Sequence, residues 1–237
     1  KGTTGLIIFI MVLTFLNLVV VSGLLVGLIA GSFKQFKEGY AGDVIVTSAS
    51  GRDYIENSQE LISFLEHHPD VVAISPRHGV SVQLLGTLTS LPKKNERINK
   101  IGIRLTGIDP EKEEAITGFS RFVLQGDNLD ASEEGYILIG SNMIKKYSSF
   151  ADANIPGLDL LNDVDVGSRV RVTLSRKDGE SVVKDFIVKG IIKSKVDEVS
   201  TRAFVLDKEL KRMLPINKEQ FQEISIKTAP NHAESVV

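Results

Sequence analysis

The chain has 237 residues, with 28 lysines and arginines against 30 aspartates and glutamates, and it contains no cysteine. This near-neutral balance argues against a nucleic-acid-binding surface, which would show clustered basic residues, so no nucleic-acid partner is expected. Without cysteine the chain has neither disulfides nor thiolate metal sites, which is compatible with any compartment. The length accommodates one membrane segment and one or two folded lobes.

The first element is an uncharged run over residues 2–33 that contains LIIFIMVLTFLNLVVVSGLLVGLIAG. As a helix it would rise roughly 1.5 Å per residue and exceed a hydrocarbon core of about 30 Å. A secretory signal has a shorter apolar core and a small-x-small cleavage site, whereas Leu28 occupies the wrong position for a cut after Ala30. We therefore expect a retained transmembrane helix.

Three glycines, Gly23, Gly27 and Gly31, recur at every fourth position of this run. They place residues without side chains on one helix face and predict a helix-packing site, although glycine is also generally common in membrane helices. Thr14 and Asn17 lie near the middle of the run. Each can hydrogen-bond to a neighbouring helix or be satisfied within its own helix.

The segment SFKQFKEGY continues the helical spacing beyond the membrane, with Phe33, Phe36 and Tyr40 on one side. Helix stop signals follow near Gly39 and Gly42. Residues 1–42 are therefore predicted to form a transmembrane helix and a stiff stalk that can carry force or rotation. An amphipathic turn in the membrane interface fits the same residues.

Two observations concern orientation and chain ends. The positive-inside rule weighs Lys34 and Lys37 against Lys1 and would place the following residues in the cytoplasm, but the flank before Lys1 is missing from this count.

The chain starts with lysine, and its closing segment APNHAESVV has the pattern of a proline-led helix start. We expect the protein to continue at both ends.

The folded part begins with a strand–helix–strand pattern. DVIVTS predicts a buried strand, and ENSQELISFLEHHPDV predicts a helix capped by Asn57 or Ser58, with an apolar face of Leu61, Phe64 and Leu65. VVAISPRHGVSVQLLG predicts a long strand, bent or bulged near its proline, Pro76. KIGIRLTGID is predicted to pair with it as a hairpin across a solvated basic loop, formed by Lys93, Lys94, Arg97 and Lys100.

The middle of the chain is predicted to be mostly β. Pro110 opens a short helix, YILIG is a strand, and SNMIKKYSSF is predicted as a small helix. In RVRVTLSRKDGESVVKDFIVKGII, Val170, Val172 and Leu174 alternate with polar residues, and Asp178 with Gly179 supplies the turn of a hairpin. TRAFVLD, DKELKRML and QEISIKT then repeat the order strand, helix, strand.

These elements predict an α+β fold in which the two strand–helix–strand units pair into one lobe and the middle forms an inserted lobe. The predicted boundaries are 43–110 and 196–237 for the halves of the first lobe and 111–195 for the insertion.

The chain lacks the commonest local motifs of nucleotide-binding, hydrolase and zinc sites. GxxxxGK[ST], GxGxxG, GxSxG and HExxH are all absent from it. His67, His68 and Asp70 are not predicted to bind one metal ion, because adjacent helical residues point in different directions. GDNLDASEEG lacks the ligand spacing of an EF-hand loop, and the segment from Asp159 to Asp165 is predicted to be a loop. No catalytic, cofactor-binding or metal-binding residue is therefore predicted.

In their order, these segments resemble the extracytoplasmic core of MacB-like and FtsX-like ABC transporter permeases, a family with macrolide-efflux and lipoprotein-releasing, LolC/LolE-type members. The patterns are loose and hydrophobic, and none is catalytic. The matching stretches are the first span with its long helix, DVIVTS, LISFLEHHPDVVAISP, LTGIDP, YILIGSNMIKKY, VDVGSRVRVTL, DFIVKGIIKS and TRAFVLDKELKRML.

The resemblance implies a porter-like lobe with an inserted sabre-like lobe outside the cytoplasmic membrane, contrary to the charge count, and three further spans beyond Val237. It implies a non-catalytic permease that works by mechanotransmission and uses no cofactor of its own. Implied partners are an ABC ATPase subunit or domain, a second permease copy, a periplasmic adaptor or lipoprotein, and membrane lipid. The loop from Asp152 to Asp163 is longer than the family's connection there.

Two other classes of protein fit the same pattern. A single-span, membrane-anchored sensor or binding module would also combine an apolar helix with an extracytoplasmic α+β domain. A membrane-tethered hydrolase is the third. No motif in the chain identifies a substrate.

Overall fold

The structure is a computed structural model that describes residues 2–86, 98–148, 151, 159–176, 179–214, 220–230, 232–233 and 236. Several sequence predictions lie wholly or partly outside these residues. They are most of the basic loop (Lys93, Lys94 and Arg97), turn residue Asp178, residues 152–158 of the long loop, and residues 231, 234, 235 and 237 of the closing proline-led segment.

A long helix, α1, runs from Gly2 to Phe36 and continues through a π-helical turn, Lys37–Ala41. Its 35 residues correspond to about 52 Å at roughly 1.5 Å per residue. Within the described residues it is the one helix long and apolar enough to cross a membrane. Side chains such as Phe9 and Leu24 are 63% and 69% exposed, so the described part of the chain leaves the apolar helix uncovered.

The helix ends where the sequence predicts. Gly42 follows the π-helical turn with a φ of 70°, and its N–H donates to the Lys37 carbonyl at 2.9 Å. Only glycine adopts this left-handed conformation without strain, so the chain leaves the helix axis here. We call the residues from 43 onward the head.

The head mixes strands and short helices, which confirms the predicted α+β fold behind an apolar N-terminal helix. Its strands are β1 Val44–Thr47, β2 Val71–Leu85, β3 Lys100–Ile108, β4 Val123–Gly126, β5 Tyr136–Gly140, β6 Arg169–Ser175, β7 Ser181–Ile192, β8 Arg202–Leu206 and β9 Glu223–Thr228. Its α-helices are α2 Ser58–Glu66, α3 Pro110–Thr117, α4 Asp197–Ser200 and α5 Asp207–Met213, with 3₁₀ turns at Phe119–Phe122 and Ser141–Met143.

The beginning and the end of the head share one sheet. Strand β9 lies between β1 and β2 and is antiparallel to both, so that Ile226 is opposite Val44 on one side and Ile74 on the other. The units β1–α2–β2 and β8–α5–β9 are thereby interleaved next to the helix exit.

The other strands close into a ring. β2 pairs with β3, β3 with β8, β8 with β5, β5 with β7, β7 with β6, and β6 again with β2. We call this six-stranded ring the barrel; β4 pairs with β7 outside it. The barrel interior is apolar because alternate residues point inward. Its fully buried side chains include Leu84, Leu105, Ile137, Val170 and Ile191.

The 15-residue strand β2 belongs both to the shared sheet and to the barrel. Strands of the predicted insertion, β5 to β7, pair directly with β2 and β8. The proposed boundaries at 110/111 and 195/196 therefore do not coincide with a break in the sheet, and the two-lobed division stays a prediction.

Four local expectations differ from the structure. Strand β1 is half-buried because it forms a sheet edge, and the register shift of β2 falls between Val71 and Ala73. Phe64 is 61% exposed although its neighbour Leu65 is buried, since the sheet covers only one side of α2. SNMIKKYSSF forms a short 3₁₀ turn at Ser141–Met143 followed by a bridge at Ile144, not an α-helix over its described residues.

Candidate functional site at the helix–head junction

The last turn of the long helix enters a buried, charged cluster of the head. Tyr40, in the π-helical turn, is 5% exposed. We call the surrounding residues the junction cluster. Its members are Tyr40, Ser75, Arg77, Arg104, Glu113, Arg202, Glu223 and Ser225, and they come from the helix end, β2, β3, α3, β8 and β9.

Arg77 lies at the centre of the junction cluster with a side chain that is 1% exposed. Its Nε donates to Oε2 of Glu113 at 2.9 Å and its Nη2 donates to Oε1 at 2.5 Å. The same Nη2 donates to the backbone carbonyl of Tyr40 at 2.8 Å. One guanidinium therefore holds both α3 of the head and the end of the long helix.

Glu113 is positioned by a well-formed short helix. Asp109 caps α3 by accepting from the N–H groups of Glu111 and Lys112, and Pro110 occupies its first turn. The hydroxyl of Ser75 also donates to Glu113 Oε2, at 2.8 Å. The carboxylate is thus fixed by two residues of β2, Ser75 and Arg77.

Glu223 is the second acid of the cluster. It accepts a hydrogen bond from the Tyr40 hydroxyl, and Arg104 Nη2 and Arg202 Nη1 approach its Oε1 at 3.1 and 3.2 Å. The guanidinium carbons of Arg77 and Arg202 lie 4.7 and 4.9 Å from the Tyr40 ring centre, so two cations lie against the ring.

The electrostatics favour the charged forms of Glu223 and Arg77. Burial by itself would raise the pKa of Glu223, but Arg202, the Tyr40 hydroxyl and Arg104 outweigh it and hold this pKa below its ordinary value. Burial would likewise lower the pKa of Arg77, and Glu113 more than compensates, so the pKa is raised. Glu223 and Arg77 are therefore held as an anion and a cation inside the protein.

Two glycines let the backbone come close at this point. A Cβ on Gly39 would lie 2.8 Å from Cγ2 of Val196, and one on Gly42 would lie 2.6 Å from the carbonyl oxygen of Ile226. The N–H of Asp43 donates to that same carbonyl at 2.8 Å. The helix exit is therefore packed directly against β9 and the start of α4.

Outer contacts complete the junction. Arg121 Nη2 donates to the Glu38 carbonyl at 2.6 Å, and Lys37 pairs with Asp43 at 2.5 Å. In the π-helical turn the hydrogen bonds span five residues instead of four, as from the Gly42 N–H to the Lys37 carbonyl, and this changes the directions of the side chains at the helix end. It presents Tyr40 to the head while Phe33 stays 72% exposed.

The predicted helix-packing glycines lie in the apolar part of α1, outside the junction cluster. Gly23, Gly27 and Gly31 have no heavy atom of the described chain within 4 Å of an added Cβ, so their face is open. They stay a predicted packing site. Gly31 precedes Tyr40 by nine residues, or about 13 Å along a helix axis.

No cluster of three His, Asp or Glu side chains that could hold a metal ion occurs among the described residues. His67 Nδ1 contacts the Ser63 carbonyl at 2.7 Å, and His68 Nδ1 accepts from the Asp70 N–H at 3.2 Å. The two histidines thus form hydrogen bonds with backbone groups at the C-terminal end of α2. His78 is fully buried beside Asp207 and lies against Phe221.

The sequence interpretation missed the junction cluster. The available signal was a set of charged residues within otherwise apolar strands: Arg77 in VVAISPRHGV, Arg104 in KIGIRLTG and Arg202 before AFVL. A charge in such a strand is buried with a partner or lies at an edge. Which acids are the partners depends on pairing across 36 residues for Glu113 and 21 for Glu223.

Comparison with known proteins gives structural similarities only. No family model matches the chain, and no curated protein matches its sequence. The extracellular domain of the noncanonic ABC-type transporter YknZ from Gram-positive bacteria is 14% identical, with a TM-score of 0.49 over 81% of this chain and 86% of that one. The periplasmic region of MacB from Actinobacillus actinomycetemcomitans is 14% identical, with a TM-score of 0.49 over 81% of this chain and 78% of that one. At these TM-scores the similarities do not decide what the chain does.

Proposed function

We propose that this chain is the first span and head of an ABC transporter permease, of the export or lipoprotein-release type, which works by mechanotransmission. In this proposal ATP hydrolysis in a partner subunit or domain moves the long helix, and the helix moves the head. The head lies outside the cytoplasmic membrane, with a porter-like lobe (43–110 and 196–237) and a sabre-like insertion (111–195). A second permease copy, membrane lipid, and an adaptor or lipoprotein are the further partners.

The observation that carries the proposal is the position of Tyr40. This residue belongs to the same continuous helix as the apolar span, yet its backbone carbonyl and ring are held inside the head by Arg77. A flexible linker would lose any movement of the helix before it reached the head. A helix end locked into a buried ionic network transmits rotation and displacement.

The sequence resemblance supports the same conclusion, since the segments follow the order of the permease core. A membrane-anchored sensor is the second candidate, because it would also use a stiff helix. The two candidates differ in one respect: a permease requires an ATPase that moves the helix, whereas an anchored binding module requires none.

The test uses the complete protein purified from its native membrane and reconstituted. We expect an ATP-binding-cassette ATPase to be present with it, and spin labels on Lys145→Cys in two heads to change their separation on ATP binding. Arg77→Met should suppress this change and leave ATP hydrolysis intact. Arg171→Met, which breaks an exposed pair with Asp185, is the matched control. A complete protein without an ATPase would instead favour the anchored sensor.

A further inference from the structure

Three buried polar atoms beside the junction cluster have no hydrogen-bond partner among the described residues. They are Nη1 of Arg77 on β2, and Nε of Arg104 and Oγ1 of Thr106 on β3. Arg77 and Thr106 are 1% and 0% exposed. A buried polar atom without a hydrogen bond is unfavourable, so three of them in one place indicate a shared partner.

The pairing of β2 with β3 places these side chains on one face. Thr106 is opposite Gly79, and Arg104 is opposite Ser81. Arg77 is two residues before Gly79 and therefore points to the same side of the sheet. Arg77 and Thr106 are thus diagonal neighbours, roughly 7–8 Å apart.

Gly79 brings the guanidinium of Arg104 back toward this pair. A Cβ on Gly79 would lie 2.6 Å from Nη2 and 2.9 Å from Nε of Arg104, so the guanidinium occupies the space over the glycine. Opposite residues of an antiparallel pair have Cβ atoms about 5 Å apart, so Nε lies no more than about 8 Å from the Thr106 Cβ.

The three atoms require an acceptor. Guanidinium nitrogens only donate hydrogen bonds, and a threonine hydroxyl can donate one. Oε2 of Glu223 is 4.0 Å from Nη1 of Arg77, which is too long for a hydrogen bond.

The charge of the junction cluster also calls for an anion. The cluster contains three guanidinium groups, from Arg77, Arg104 and Arg202, and two carboxyl groups, from Glu113 and Glu223. One positive charge therefore remains even when both acids are ionised. A charge inside a protein is unfavourable unless it is paired, and a neutral acceptor such as water would not balance it.

We propose that this face of the junction cluster binds one small monovalent anion with the chemistry of chloride, between Nη1 of Arg77, Nε of Arg104 and Oγ1 of Thr106. The side chain of Arg104 is 38% exposed and gives the site access to solvent. Nη2 of Arg77 holds the Tyr40 carbonyl, so the anion binds the same guanidinium that joins the helix to the head. The inference goes beyond the proposed function, because it requires only the folded head.

The test compares the unfolding temperature of the head in sodium chloride, sodium bromide and sodium gluconate, using the complete protein in detergent. A spin label at the exposed Lys145→Cys reports unfolding of the head. One ionic strength keeps general screening constant, and gluconate is too bulky for a site between buried donors. A bound anion raises the ratio of folded to unfolded protein, roughly 11-fold at ten times its Kd. We expect a saturable rise of the unfolding temperature in chloride and bromide. Equal unfolding temperatures in all three salts would overturn the proposal.

Matched threonine variants locate the site. Thr106→Val keeps the shape of the side chain and removes one donor, so it should weaken chloride binding roughly 10-fold or more, the effect of one hydrogen bond to a charged group. Thr117→Val is the control, because the buried Thr117 hydroxyl already donates to the Glu113 carbonyl at 3.1 Å. The chloride response of this control should equal that of the unaltered chain. An undiminished response in Thr106→Val would refute the site.

Bromide also allows a direct observation. In crystals of the complete protein grown in bromide, we expect an anomalous scattering peak in contact with Nη1 of Arg77 and Oγ1 of Thr106. A water molecule at that position without a bromide signal would contradict the proposal. None of these measurements depends on ATP hydrolysis, so failure of the proposed transport function would leave their outcomes unchanged.

Discussion

The barrel and the junction cluster are both buried, but different interactions stabilise them. The barrel interior is filled by aliphatic side chains such as Leu84, Val170 and Ile191, whose packing is non-directional. The junction buries Arg77, Glu113 and Glu223, whose hydrogen bonds require one geometry.

This difference predicts how each region responds when a side chain is removed. An apolar core loses stability gradually when its side chains are trimmed, and its shape survives. A buried ion pair loses its order when one partner is removed, because the other charge is left without compensation. A connection meant to transmit movement benefits from the second kind of contact.

The largest expected effect is at Arg77. Arg77→Met leaves the buried Glu113 carboxyl group without its cationic partner, so the free energy of unfolding of the intact chain in detergent should fall by about 3–5 kcal/mol. Arg171→Met removes an equally bidentate but exposed pair and should cost about 0–1 kcal/mol. Denaturant titration of both variants compares them directly. Equal losses would show that burial of the junction pair is unimportant.

The second prediction distinguishes the stability of the head from the order of the helix exit. Leu84 is fully buried in the barrel, and Leu84→Ala should reduce the free energy of unfolding by about 2–5 kcal/mol through the lost contacts and the cavity. The protease sensitivity of the helix exit, at Lys37 and Lys34, should not change in the native state. A newly cleavable exit in this variant would mean that the barrel, and not the ion pair, orders the junction.

A smaller effect is expected at the helix exit. Gly42→Ala combines a positive φ with a contact to a backbone carbonyl, so it should lower the free energy of unfolding by about 1–3 kcal/mol. Gly51→Ala is the matched control, since Gly51 has a φ of 82° and nothing within 4 Å of an added Cβ. Thermal unfolding should separate the two variants. Identical shifts of the unfolding temperature would mean that the positive φ alone, and not the contact with the Ile226 carbonyl oxygen, destabilises Gly42→Ala.

The smallest effect is the acid dependence of the cluster. The folded-state pKa of Glu223 lies below its ordinary value of 4.5, so its contribution is present above that value and is lost as the pH falls through the lower, folded-state pKa. Glu223→Gln should therefore flatten the fall of stability below about pH 4.5, as followed by unfolding at a series of pH values. An unchanged acid profile would exclude Glu223 as a contributor.

The sequence is a good guide to the elements that alternate or repeat along the chain. Val170, Val172 and Leu174 identify β6 and its hairpin, and the uncharged run identifies the long helix. Phe64 shows a limit, because periodicity does not say how wide a face the sheet will cover. The junction cluster shows another: Tyr40 and Glu223 are 183 residues apart, and nothing local to either specifies the contact.

The most direct test of a rigid junction is the distance between a spin label at Lys34→Cys on the helix and one at Lys145→Cys on the head, measured by pulsed electron resonance in reconstituted bilayers. Both positions are exposed, and the chain has no cysteine of its own. A locked junction predicts a narrow distance distribution in the otherwise unchanged chain and in Arg171→Met, and a broad one in Arg77→Met. A broad distribution without the Arg77 substitution, or a narrow one with it, would contradict transmission through the cluster.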